Sequence, residues 1–105
     1  MSGSRNSALH LACFYGRTET VQTIIELSKE FGIDLNAKNN IGRTPFHEAC
    51  LRGKTETVQI VIKNWKEFGI DKKALDNEGK TPLDLIKHCD GERFKQIKEM
   101  LVMDG

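Results

Sequence analysis

The stretch Gly42-Arg43-Thr44-Pro45-Phe46-His47-Glu48-Ala49-Cys50 decides the fold of this chain. A glycine in this setting adopts turn conformations that other residues resist. Thr44 is a typical N-cap residue, and a proline such as Pro45 suits the first position of a helix, where no N–H is needed. The stretch therefore predicts a tight turn that leads directly into a short helix.

The same pattern recurs at a fixed offset of 37 residues. The offset carries residues 42–45 onto Gly79-Lys80-Thr81-Pro82, and it carries residues 18–22, Thr-Glu-Thr-Val-Gln, onto the identical run at 55–59. Self-similarity at a fixed period is typical of a repeat protein. We expect residues 1–5 to be a flexible remnant and 6–105 to form one domain. Its repeats should cover about 6–38, 39–75 and 76–105.

A second helix is expected in each unit after Gly16 or Gly53. The apolar residues of these segments recur at helical spacing. They are Val21, Ile24, Ile25 and Phe31 in the first copy, and Val58, Val61, Ile62, Trp65 and Phe68 in the second. Gly32 and Gly69 then follow at the place of a left-handed C-terminal cap.

These residues resemble the ankyrin repeat, a unit of a turn and two helices with the signature Thr-Pro-Leu-His-x-Ala. The matching runs cover residues 7–12, 44–49 and 81–86. The resemblance implies an all-α solenoid of three helix-turn-helix units linked by β-turn or hairpin loops. It also implies a non-catalytic module inside the cell, in cytoplasm or nucleus, that binds another protein.

The units depart from the common ankyrin pattern in four ways: the first unit lacks the Thr-Pro pair, Lys73 stands where Asn36 stands one unit earlier, and the other two concern the second helix and the third unit. The second helix is about four residues longer, which is close to one full turn and keeps the apolar stripe in phase. We therefore expect the added Phe31 and Phe68 to be buried between repeats. The third unit has Asp84 in place of histidine, and it should act as a terminal cap. Its expected solvated face consists of Lys87, Lys95, Lys98 and Glu99.

Composition excludes several classes of protein. A net charge of +1 gives no field that would hold a nucleic acid, and no apolar run is long enough for a membrane span. Three cysteines, Cys13, Cys50 and Cys89, form an odd set without a secretory leader. We therefore expect free thiols in a reducing compartment.

The histidines and cysteines suggest a metal site, but the expected distance between neighbouring helices argues against one. His10-x-x-Cys13 and His47-x-x-Cys50 together offer a zinc ligand set. Neighbouring helices pack ~8–10 Å apart, whereas the ligands of one zinc must lie within about 4 Å of each other. No cysteine has both a base and an orienting third group. The sequence therefore predicts no metal, no cofactor and no enzymatic activity.

The turn tips and the ends of the first helices remain free for binding, on what should be a concave strip. Phe14, Tyr15, Ile41 and Leu51 are not required by the repeat, and large side chains beside arginine are typical of binding hot spots. Nearby basic residues suggest an acidic partner. The alternatives are scattered surface apolar residues and a solvated charged face. The expected partner-binding residues are Phe14, Tyr15, Lys38, Asn40, Ile41, Arg43, Leu51, Arg52, Asn77, Glu78, Lys80 and His88.

Two further readings of the repeat pattern stay open. The near-identical units also fit an engineered or idealised scaffold without a natural partner. The first unit has no evident polar cap, which fits a fragment of a longer array. We expect a monomer, with self-association through this uncapped repeat as the alternative.

Overall fold

The computed structural model describes residues 5–103, so the expected remnant at 1–5 lies, apart from Arg5, outside the described residues. The described part forms six helices and no strand, and the predicted all-α repeat fold is confirmed. The helices are α1 (Ala8–Phe14), α2 (Thr18–Phe31), α3 (Pro45–Leu51), α4 (Thr55–Phe68), α5 (Pro82–Ile86) and α6 (Glu92–Met103).

The helices pack in two layers. The short helices α1, α3 and α5 stack in that order, and the long helices α2, α4 and α6 stack beside them. We call these the short-helix layer and the long-helix layer. None of the helices between residues 5 and 103 is long and apolar enough to cross a membrane.

The start of each short helix is fixed by a reciprocal cap. Thr44 Oγ1 accepts from the His47 N–H at 3.3 Å, and His47 Nδ1 accepts from the Thr44 N–H at 3.0 Å. Thr81 and Asp84 repeat this arrangement. These bonds satisfy N–H groups that a helix start would otherwise leave without partners. The predicted N-caps Thr44 and Thr81 are therefore confirmed.

The capping histidines also join one repeat to the next. His10 Nε2 donates to the Arg43 carbonyl at 2.7 Å, and His47 Nε2 donates to the Lys80 carbonyl at 2.9 Å. Each histidine therefore links its own cap to the backbone of the following repeat. Asp84, as a carboxylate, closes its own cap but offers no donor to a following repeat.

The core lies between the repeats and between the two layers. Gly32 and Gly69 end the long helices in the left-handed conformation, with φ of 64° and 67°, as predicted. The side chains without any exposed area are mostly aliphatic. They include Val21, Ile25, Ala49, Val58, Ile86 and Ile97, together with Cys13 and Cys50.

The prediction that Phe31 is buried between repeats is wrong, because 66% of its surface is exposed. Phe68 is half-buried, and the Lys29 ammonium of the first repeat lies 4.8 Å from its ring centre. This position of the long helix points toward the preceding repeat. Among the described residues no repeat precedes the first, so Phe31 stays uncovered.

Of the four residues expected on the solvated face of the third repeat, Lys87, Lys95 and Glu99 are exposed, and only Lys98 differs. Lys98 is half-buried, and its ammonium donates to the carbonyls of Lys87 at 3.2 Å and Cys89 at 2.8 Å. Cys89 is half-buried as well, and its thiol lies 3.9 Å from the Leu85 carbonyl oxygen. Lys98 therefore holds the end of α5 and does not belong to a solvated face.

Candidate functional site

Each turn tip is held by one buried polar side chain at its base. Asn39 Oδ1 accepts from the N–H groups of Ile41 at 3.1 Å and Arg43 at 3.0 Å. In the next unit Asp76 Oδ1 accepts from the N–H groups of Glu78 and Lys80, both at 2.9 Å. Short polar side chains that bond to their own turn fix its shape. The tips are therefore presented in a defined geometry.

The acid at the base of the second tip is held in its ionised form. Burial opposes the charge on Asp76, but the N–H groups of Lys80 and Glu78 outweigh it, and His47 and Arg43 add to their effect. The pKa of Asp76 is therefore lowered. Hydrogen bonds to a carboxylate favour its charged form.

The two tips touch and form one surface. The Asn77 N–H donates to the Ile41 carbonyl at 3.0 Å, and Asn77 Nδ2 donates to the Asn40 carbonyl at 2.9 Å. Gly42 has φ of 78°, and a Cβ there would lie 2.6 Å from the Asn77 nitrogen, so this close approach requires glycine. The Ile41 side chain remains 49% exposed. Ile41, Arg43, Asp76, Asn77 and Glu78 line a shallow pocket between the tips.

A second cluster of predicted residues lies at the ends of α1 and α3. The Arg52 guanidinium carbon lies 4.2 Å from the centre of the Phe14 ring, and the ring of Tyr15 meets Phe14 edge-on at 4.9 Å. Arg52 Nη2 lies 3.6 Å from Glu48 Oε1. The guanidinium is thus fixed between an aromatic face and a carboxylate. Tyr15, beside it, is 63% exposed.

Glu48 is a residue of this cluster that the sequence analysis missed. Its side chain is only 7% exposed, and Oε1 makes no hydrogen bond within residues 5–103. Its other oxygen accepts from Asn39 Nδ2 at 3.4 Å, so Glu48 connects the arginine cluster to the first turn tip. The available signal was its register, because the equivalent residues of the other repeats are Leu11 and Leu85.

Some of the four basic side chains among the predicted binding residues lie beside carboxylates of the chain itself. Arg43 Nε lies 4.0 Å from Asp76 Oδ2, and Arg52 lies beside Glu48. Lys38 Nζ donates to the Leu75 carbonyl at 2.9 Å. Arg43 and Arg52 therefore lie beside carboxylates of the chain, whereas Lys38 and Lys80 are exposed and have no carboxylate beside them among the described residues.

Two of the predicted binding residues differ from the others in their surroundings. Leu51 is half-buried and packs on the core. Packing therefore accounts in part for a large apolar residue at this position. His88 is exposed beyond the end of α5, and it makes no bond to either cluster within the described part of the chain. The two groups that the structure brings together are Phe14, Tyr15 and Arg52, and the tip residues Asn40, Ile41, Arg43, Asn77 and Glu78.

The histidines and cysteines of the short-helix layer have structural surroundings. In His10 and His47 both ring nitrogens are used in hydrogen bonds to the protein. Burial, with a smaller contribution from Glu48, raises the pKa of Cys13 to about 12, and burial also raises the pKa of Cys50. Residues 5–103 contain no group of three or more His, Cys, Asp or Glu side chains that could hold a metal ion.

The surroundings of His47 predict a pH dependence of stability. Burial lowers its pKa from 6.5, and Arg43 and Lys38 act in the same direction, while the bond to Lys80 and the charge of Asp76 oppose it. The unfolded chain therefore binds the proton more readily. The stability contributed by neutral His47 is fully present above about pH 6.5 and falls as the pH drops below it.

We expect the free energy of unfolding to decrease between pH 7 and pH 5, measured by urea denaturation at each pH. The slope should be smaller in His47→Gln, which has no titrating ring. Equal slopes in the two proteins would contradict the assignment to His47.

Comparison with protein families agrees with the repeat geometry. The sequence model described as ankyrin repeats, in three copies, matches residues 9–91. A comparison with curated proteins finds no significant match to the chain. Ankyrin repeats are generally protein–protein interaction modules and are typically non-catalytic. Because the match covers most of the chain, the protein belongs to the ankyrin-repeat family.

Proposed function

We propose that the chain binds another protein through its short-helix layer and turn tips, and that it performs no chemistry itself. The observation that carries the proposal is the cluster of Phe14, Tyr15 and Arg52. Aromatic residues and arginine dominate the energy of protein interfaces. Here they lie together on the surface, and Tyr15 is 63% exposed.

The cluster supports a particular kind of partner group. Stacking on Phe14 and proximity to Glu48 restrict the rotamers of Arg52, so less conformational entropy is lost when a partner binds. A guanidinium carries five N–H donors, and a carboxylate oxygen is its strongest acceptor. We propose that an acidic or carbonyl oxygen of the partner binds Arg52 while an apolar side chain packs on Tyr15.

The turn tips extend the same proposal. Ile41 offers an exposed apolar side chain at the pocket that it lines together with Arg43 and Asp76. Because hydrogen bonds hold the tips, they would bind without a large loss of conformational entropy. Arg43 lies beside Asp76 within the chain, so we assign this residue a role in polar contact rather than in charge attraction.

The cysteines support a location inside the cell. Cys13, Cys50 and Cys89 are all free thiols, and the first two are buried. Unpaired cysteines persist in reducing compartments. We propose that the protein is intracellular, because its cysteines are unpaired and because ankyrin-repeat proteins are usually found inside the cell.

The binding proposal is tested by comparing variants against one partner. The wild-type chain is used to isolate binding proteins from cell extracts, and the affinity of the recovered protein is then measured for each variant. Tyr15→Ala and Ile41→Ala should each weaken binding by ~2 kcal/mol, as hot-spot residues do. Melting should hardly change, because both side chains are largely exposed.

Two further variants make this test specific. Arg52→Lys keeps the charge next to Glu48 but loses the planar fork and the stacking on Phe14, so it should also weaken binding. Val102→Ala, on an exposed side chain of α6, is the matched control and should bind like the wild type. Full affinity in all the variants would exclude this surface, and recovery of no partner from several cell types would favour the scaffold alternative.

A further inference from the structure

Glu48 is a carboxylate at a position where the other two repeats have leucine. It is 6% exposed, whereas the equivalent Leu11 is 47% exposed and Leu85 is half-buried. Oε1 of Glu48 is buried and has no hydrogen-bond partner within residues 5–103. A buried carboxylate with incomplete hydrogen bonding lowers the stability of a fold. The stacking of repeats therefore does not account for the presence of Glu48.

The polar residue at the base of each turn matches the residue at this position. In the second repeat the base is Asn39, whose amide Nδ2 donates to Glu48 Oε2 at 3.4 Å. In the third repeat the base is Asp76, a carboxylate without an N–H to donate, and the matching residue is Leu85. Two carboxylates close together repel each other. The surroundings of Glu48 therefore fit a charged side chain at this one place.

Arg52 is the cation beside this carboxylate. Nη2 of Arg52 lies 3.6 Å from Glu48 Oε1, and the guanidinium carbon lies 4.2 Å from the centre of the Phe14 ring. The Arg52 side chain is 39% exposed, whereas that of Glu48 is 7% exposed. A partner protein can therefore reach the guanidinium, while the carboxylate stays covered.

The carboxylate changes what a partner experiences at Arg52. A carboxylate of the partner would be attracted by the guanidinium and repelled by Glu48 beside it, so part of the Coulomb attraction cancels. A carboxylate also loses more hydration on binding than an uncharged carbonyl group does. The guanidinium has five N–H donors, which an uncharged carbonyl oxygen accepts from equally well in the presence of Glu48. The pair therefore favours a carbonyl oxygen over a carboxylate.

We propose that Glu48 determines what Arg52 binds: it holds the guanidinium in place and offsets its charge, so that the partner contributes an uncharged carbonyl oxygen from its main chain or from an amide side chain. This inference rests on the proposed binding surface and narrows it. Glu48 acts through Arg52 and is a positioning residue, because its own side chain is only 7% exposed.

The isolated chain tests the role of Glu48 without a partner. Glu48→Gln keeps the size of the side chain and removes its charge. NMR relaxation of the Arg52 Nε–Hε group should show motion of larger amplitude in this variant than in the wild type. At constant ionic strength, acetate should bind at Arg52 at least about threefold more tightly in the variant, because the repulsion is gone. Acetamide, the uncharged control probe, should respond much less to the substitution.

A stability measurement tests whether the fold needs the carboxylate. Glu48→Leu installs the residue of the other repeats, and Asn39 Nδ2 keeps its bond to Asn6 Oδ1 at 3.0 Å. The midpoint of urea denaturation should be equal to or above that of the wild type. A clearly lower midpoint, unchanged motion of Arg52 in Glu48→Gln, or equal acetate binding in the two proteins would overturn the proposal.

The protein recovered with the wild-type chain tests the choice of carbonyl oxygen. Arg52→Gln should weaken its binding by the same factor at low and at high salt, because no charge pair with the partner is lost. A loss that shrinks as salt is raised would indicate a partner carboxylate and overturn the inference, while weakening by Tyr15→Ala would leave the binding surface in place. Full affinity in both Tyr15→Ala and Arg52→Gln would overturn the surface and the inference together.

Discussion

Replacing His47 by Leu is expected to lower the free energy of unfolding by ~2 to 5 kcal/mol. The imidazole accepts from the Thr44 N–H and donates to the Lys80 carbonyl, and its side chain is fully buried. Leucine leaves both backbone groups without a partner, and each unsatisfied buried group costs ~1–3 kcal/mol. Chemical denaturation of the two proteins measures the loss.

The control for this substitution is His88→Leu, the same chemical change at an exposed residue. It should change stability by less than about 0.5 kcal/mol, as surface substitutions usually do. Equal losses in the two variants would show that the bond from His47 to the next repeat is not a significant part of the fold.

Replacing Ile25 by Ala is expected to cost ~2 to 5 kcal/mol. Ile25 has no exposed surface and belongs to the core of the stack. Removing its outer carbons loses buried apolar area and leaves a cavity that neighbouring helices fill only in part. Urea denaturation gives the difference between the variant and the wild type.

Leu27→Ala, two residues further along the same helix, is the control for Ile25→Ala. Leu27 is 39% exposed, so at a protein concentration where the chain is monomeric its truncation should cost clearly less. A loss below about 1 kcal/mol in Ile25→Ala would contradict the placement of the core between repeats.

The repeat and its helices were predictable because their signals are local. Thr44 and Pro45 mark a helix start within a few residues, and Gly32 marks a helix end through its own backbone conformation. An offset that aligns whole segments then shows that each local unit recurs. The structure confirms these predictions for the caps and the helices.

The exposure of Phe31 could not be predicted from helical spacing. Periodicity assigns a residue to a side of a helix, but it does not say whether another element covers that side. In the second repeat the neighbour is present and Phe68 is half-buried. In the first repeat no described repeat precedes this position, and 66% of the Phe31 surface is exposed.

The side chains and carbonyls that contact the basic residues could also not be predicted from the sequence. Arg43 of the second repeat meets Asp76 of the third, and Lys38 of the first repeat meets the Leu75 carbonyl of the second. Such contacts depend on how two repeats stack. The register of Glu48 with Leu11 and Leu85 pointed to an unusual glutamate, but its pairing with Arg52 became visible only in the structure.

A photo-crosslinking amino acid placed at residue 15 tests the binding proposal most directly. Tyr15 is 63% exposed beside Arg52, whereas Val102, the control site on α6, is 68% exposed on the long-helix layer. We predict that the protein recovered with the wild-type chain becomes crosslinked from residue 15 and not from residue 102. Crosslinking of that protein only from residue 102 would contradict binding through the short-helix layer.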